Sequence, residues 1–151
     1  MSLSYTAAEL LQRLPHRHPF VLLDGVEDVE PAVSGVGIKN ITISDPVFQG
    51  HFPGQPIYPG VMMIEAAAQT CGIIATASPE PLAKASIGYL ATVKRFAFKE
   101  LVVPGDQLQI RCKRHVSIGS LIEFKRTVLV GNRTVAEGSL AVSVGDGTVQ
   151  P

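Results

Sequence analysis

The chain has no net charge. Its 13 Lys and Arg balance its 13 Asp and Glu, which argues against a general nucleic-acid binder, because neutralising phosphates takes a surplus of cations. Charge is also sparse. Charged residues make up 17% of the chain against 46% hydrophobic, a balance that excludes a disordered segment and fits an apolar globular protein. The only two cysteines, Cys71 and Cys112, have no metal-binding or redox spacing and are read as buried free thiols in a reducing compartment. No charged start leads into an apolar core at the N-terminus, so no secretory signal is expected. The most apolar run, Val61–Ala77, is interrupted by Glu65 and Gln69 and is short for a membrane span. A cytoplasmic protein with no membrane span is therefore expected. A serine elbow, a phosphate-binding glycine loop and a CxxC pair are all missing. At 151 residues the chain suits one domain, 1–151, with 145–151 read as a frayed tail.

Within this neutral total, charge is unevenly placed. Residues 1–83 hold three basic and eight acidic side chains, net −5, whereas 84–133 hold ten basic and three acidic, net +7. That basic stretch either forms a surface for an acidic partner or is scattered over solvated strands.

Pattern and punctuation predict an α+β fold. Thr6–Leu14 reads as a short helix, capped by Thr6 with Glu9 three residues on and closed by Pro15. Strands are predicted at Phe20–Val29 and Val33–Ile43, then at Lys84–Phe98, Leu108–Val116, Leu121–Val130 and Thr134–Val144, with turn residues between them. Ser44–Pro59 reads as a loop and Val61–Ala77 as a helix with almost no polar face, which only a buried helix can afford. The expected architecture is a curved antiparallel sheet of about six strands wrapped around one long central helix.

The candidate chemistry sits where loop meets helix. GHFPGQPIYPG (Gly50–Gly60) braces His51 between prolines and glycines. An ordinary imidazole titrates near ~6.5, so a histidine there serves as a general base or is simply held by a backbone carbonyl. Gly60 opens the helix, where free backbone N–H groups and the helix dipole suit a developing oxyanion. Glu65 and Gln69, four apart, share one face. A carboxyl in so apolar a helix is either hydrogen-bonded for structure or kept as a tuned acid. Base, acid and N–H donors together fit removal of a proton beside a carbonyl with loss of a neighbouring hydroxyl.

Five segments carry a resemblance: LPHRHPFVLLD (Leu14–Asp24), IKNITI (Ile38–Ile43), FQGHFPGQPIYPGVMMIEAAAQ (Phe48–Gln69), VVPGDQL (Val102–Leu108) and VAEGSL (Val135–Leu140). Together they resemble the (3R)-hydroxyacyl-[acyl-carrier-protein] dehydratases of the FabZ type, which have the hotdog fold. The resemblance implies His51 as catalytic base or acid, Glu65 as its partner, Gly60 as the amide holding the thioester carbonyl, and Gln69 as support. It implies Tyr89 as gate of an acyl tunnel, with Phe52 and Ile57 as lining candidates. It further implies a homodimer whose His51 and Glu65 come from different subunits, commonly a trimer of dimers. The substrate would arrive on the phosphopantetheine arm of acyl carrier protein, with no metal or redox cofactor. His16 and His18, spaced as a metal pair would be, fall in a motif that binds none. Around Ala91–Glu100 the chain departs from the family, which has an acidic residue near Lys94 and a basic one at Ala97. Lys94, Arg95 and Lys99 are either carrier contacts or a solvated strand edge. Two rival readings are a hotdog thioesterase, which the intact His51/Glu65 pair disfavours, and a non-catalytic acyl-binding subunit.

Overall fold

A computed structural model describes residues 2–80, 82 and 88–145. The chain opens with β1 (Leu3–Thr6), which runs directly into α1 (Ala7–Arg13). The expected capping box is present: Thr6 Oγ1 accepts from Glu9 N–H at 3.4 Å, and the Glu9 carboxylate accepts from Thr6 N–H at 2.7 Å. Then come β2 (Gly25–Glu30), β3 (Ser34–Asn40), a 3-10 turn at Pro46–Gln49, and α2 (Gly60–Ala75). The second half supplies β4 (Gly88–Phe98), β5 (Gln107–Ile118), β6 (Leu121–Val130) and β7 (Arg133–Val144).

The strands form one antiparallel sheet in the order β1-β2-β3-β5-β6-β7-β4. It has seven strands among the described residues, where about six were expected. The addition is β1, too short to show a period of its own, which pairs Leu3 with Val29 and Tyr5 with Val26. The α-helices number two among the described residues, α1 of 7 residues and α2 of 16. One expected strand is shorter than predicted: of Phe20–Val29 only the part from Gly25 is strand. Leu22 N–H leaves the sheet pattern to donate to Gln69 Oε1 at 3.1 Å. The strand predicted from Lys84 is described from Gly88; its first residues, and the tail after Gly145, lie outside the described residues.

α2 lies against the sheet through Met63, Ala66, Ala67, Thr70, Cys71, Ile73 and Ile74, all buried. Ala66 and Ala67 are fully enclosed, and such small side chains let strands approach the helix axis closely. Leu108, Ile110, Phe124, Val128, Val135 and Leu140 close the core from the sheet side. Arg13 fixes the far end of α2, donating to Thr76, Ser78 and Glu80 carbonyls while its guanidinium covers the Tyr5 ring. These bonds satisfy the carbonyl of the C-cap residue Thr76 and two carbonyls of the segment that follows.

β4 is irregular. Its pairing with β7 shifts between Lys94 and Ala97, and Arg95 in that bulge has φ +49°. The bulge crosses β7 at Gly138, where an added Cβ would lie 2.7 Å from Phe96 Cα and 2.8 Å from Arg95 O. Phe96 thereby covers Arg126, whose Cζ is 4.6 Å from the ring centroid. Arg126 shares the buried face of β6 with Phe124 and Val128 and has no hydrogen-bond partner among the described residues. Burial pushes its guanidinium pKa down, against the pull of the neighbouring Cys71 and Cys112.

Candidate active site

His51 follows the 3-10 turn, in a loop folded on itself by reciprocal backbone bonds between Phe52 and Gln55. Ile57 N–H donates to His51 O at 3.1 Å, and Ile57 O lies 2.7 Å from His51 Nδ1. A carbonyl can only accept, so Nδ1 carries the proton and Nε2 is left with its lone pair. The carbonyl contact expected of a merely structural loop histidine is thus the contact that fixes the tautomer with Nε2 unprotonated. Phe52 stacks on the imidazole, centroids 4.1 Å apart, and is half exposed. The structure gives Ile57 a part the sequence did not suggest, through its main chain.

The loop ends at the tip of α2. Tyr58 N–H is tied to Val102 O at 2.8 Å, Pro59 caps the helix without a side-chain bond, and Gly60 N–H has no acceptor among the described residues. A Cβ at position 60 would sit 2.8 Å from the Phe98 ring. Only glycine, with no Cβ, lets the Phe98 ring approach the helix tip this closely.

Glu65 lies one turn further along, half-buried, in a pocket of about 230 Å³. Leu14, His16, Phe20, Gln69, Tyr89 and Val142 are among its walls. Gln69, 2% exposed, makes three bonds: its Oε1 accepts from Leu22 N–H, and its Nε2 donates to Phe20 O at 2.8 Å and to Glu65 Oε1 at 3.0 Å. His16 Nε2 stands 3.6 Å from the same carboxyl oxygen. Sequence reasoning passed over His16 and Phe20, setting aside the LPHRHPF histidines as metal ligands and giving them no other task.

His51 is absent from the walls of this pocket, as are Phe52 and Ile57. Within one chain, His51 and Glu65 do not line this pocket together. Tyr89, expected as a gate, borders the pocket at the start of β4. Of the other expected residues, Lys94 and Arg95 stand on the far part of β4 and Lys99 lies just past its end. Lys94 pairs with Glu123 at 3.3 Å and Lys99 with Glu137 at 2.8 Å. Arg95 has no ion pair among the described residues and joins Arg111, Lys113 and Lys125 in an open groove of about 770 Å³ across the sheet.

A buried helix wrapped by an antiparallel sheet defines a hotdog-fold protein. The chain superposes on the dehydratase heterocomplex ApeI:P of Xenorhabdus doucetiae with a TM-score of 0.75 over 91% of each chain at 18% identity. A hypothetical thioesterase protein with coenzyme A from Streptococcus pneumoniae follows the same fold at a TM-score of 0.59 and 11% identity, over 80% of this chain and 84% of that one. The FabA-like domain family matches residues 14–139, and the chain belongs to it. Within that family it is a FabZ-type dehydratase. The 3-hydroxyacyl-[acyl-carrier-protein] dehydratase FabZ of Nitrobacter hamburgensis is 40% identical over 139 residues, 92% of each chain. That of Rhodospirillum rubrum is 36% identical over 144 residues, 95% of this chain and 90% of the relative.

Proposed function

We propose that the chain dehydrates 3-hydroxyacyl thioesters carried by acyl carrier protein to trans-2-enoyl thioesters and water, in the cytoplasm and in fatty-acid biosynthesis. The observation that carries the residue assignment is the bond between His51 Nδ1 and Ile57 O, which leaves Nε2 as a free base. His51 Nε2 removes a proton from C2 while Gly60 N–H receives the charge building on the thioester oxygen. The C2 electron pair forms the double bond as the C3–O bond breaks, and Glu65 protonates the departing hydroxyl. His51 ends protonated and Glu65 ionised, so one proton returned from the first to the second resets the site. The reaction is redox-neutral and needs neither a metal nor a redox cofactor.

The separation of His51 from the Glu65 pocket supports a site completed by a second copy of the chain. β4 supports it too, as an edge strand with Tyr89, Leu90, Val93 and Phe98 exposed, the kind of edge that pairs with another strand. A trimer of such dimers is the assembly we envisage. For the carrier protein, Arg95 with Arg111, Lys113 and Lys125 is a better docking surface than Lys94 and Lys99, which already hold carboxylates.

Incubation with a 3-hydroxyacyl thioester, scored for enoyl thioester against free thiol, tests the reading. Enoyl product is expected; free thiol would make the chain a thioesterase, and retained acyl binding without turnover a non-catalytic subunit. Glu65→Gln and His51→Ala should each lower kcat by roughly 10²- to 10⁴-fold without unfolding the protein. Near-normal turnover in either would overturn the assignment.

A further inference from the structure

A proton donor needs its proton on the oxygen that meets the substrate, and a free carboxyl group has two equivalent oxygens. The backbone of the LPHRHPFVLLD segment removes that equivalence. Leu22 N–H must find an acceptor and Phe20 C=O a donor; Gln69 offers Oε1 to the first at 3.1 Å and Nε2 to the second at 2.8 Å. Turning the amide over would set donor against donor and acceptor against acceptor, so its orientation is fixed. The remaining Nε2–H then faces Glu65 Oε1, at 3.0 Å.

His16 faces that oxygen from the other side. Its ring is stacked on Phe20, centroids 6.1 Å apart and planes 16° from parallel, which holds Nε2 3.6 Å from Glu65 Oε1. Nδ1 is buried with no partner among the described residues. A neutral imidazole carries one N–H. On Nδ1 it would be a buried orphan donor, and the Nε2 lone pair would confront an oxygen that already serves as acceptor. On Nε2 it points at that oxygen, and a small inward movement brings it within hydrogen-bond range.

We infer that His16 is a positioning residue for Glu65: together with Gln69 it keeps Oε1 as the accepting oxygen, so that the acidic proton sits on Oε2. As Glu65 gives up its proton, the same two N–H groups stabilise the carboxylate that forms. The contribution therefore falls on the chemical step and not on binding. The inference rests on the reading of Glu65 as proton donor.

The test separates donor from ring. His16→Phe keeps the stack on Phe20 and removes the N–H; His16→Gln loses the ring and restores an N–H near the position of Nε2. Steady-state kinetics on the 3-hydroxyacyl thioester should show kcat of His16→Phe down about 10- to 100-fold with KM little changed. His16→Gln should recover most of that loss. Wild-type kcat in His16→Phe, a glutamine variant as slow as the phenylalanine one, or a loss confined to KM would each overturn the inference. Should His16→Phe not fold, His16→Asn replaces it: its shorter amide cannot reach Oε1, so it must be slower than His16→Gln. Glu65→Gln is assayed in parallel. If it is inactive beside a fully active His16→Phe, only the inference fails; if it is active, the reading of Glu65 fails and the inference with it.

Discussion

Tyr58 shows how a residue next to the chemistry can be strongly perturbed without taking part in it. Its ring is 2% exposed, packed edge-on against Phe48, and its hydroxyl has no partner among the described residues. Burial pushes the phenol pKa well up, and the charges of Asp45 and Asp24 push it the same way. The folded state thus holds the Tyr58 proton after the unfolded chain, at the ordinary value of 10.0, has begun to release it. Stability is unaffected below that value and falls as pH rises above it, by up to about 1.4 kcal/mol per pH unit from this one group. Chemical denaturation at pH 8 and pH 10.5 should therefore show a smaller alkaline loss in Tyr58→Phe than in the wild type. An equal loss in both would mean that other groups set the alkaline limit. Arg126 and Cys71 are also perturbed interior groups, burial lowering the guanidinium and raising the thiol, and they too lie outside the proposed mechanism, Arg126 under Phe96 and beside the two buried thiols.

At the level of elements, the sequence was most readable where period and punctuation agreed. The hairpins β5–β6–β7 fall within two residues of expectation, because Gly119 and Gly131, both at positive φ, mark their turns. α2 begins one residue before the predicted start and ends two before the predicted end. The apolar run Phe20–Asp24 misled because a short apolar stretch looks the same whether its N–H groups meet a strand or, as at Leu22, a glutamine side chain. The proximity of His16 to Glu65 was illegible for a related reason. It depends on Gln69 tying two distant segments together, and no local pattern encodes that. The residues at the helix tip were legible because proline and glycine there leave few alternatives. The β4 bulge was not, since it depends on how closely two strands cross. Gly138→Ala tests that crossing. The neighbour of the new methyl group is backbone that cannot turn aside, so the variant should lose roughly 1–3 kcal/mol, measured by denaturant unfolding. Unchanged stability would mean that the bulge shifts at little cost.

Taken as a whole molecule, the chain keeps His51 out of the pocket that Glu65 lines, which makes activity a property of pairs of chains in the proposed dimer. Subunit mixing measures this directly. His51→Ala and Glu65→Gln chains are each inactive in the proposed mechanism. A mixed dimer keeps one site with both groups intact, so co-refolding the two in equal amounts should restore about a quarter of wild-type activity through random pairing. No recovery, with mixed dimers verified by mass, would place base and acid in the same chain.

β4 carries a further consequence, one that concerns time. Its outer edge has no neighbouring strand among the described residues, and apolar side chains stand exposed along it. Such an edge does not distinguish its proper mate from any other extended segment until register and side chains have been tried. In the proposed dimer, between the moment a chain folds and the moment it finds its twin, the strand that would pair the two chains is also an edge open to misassembly.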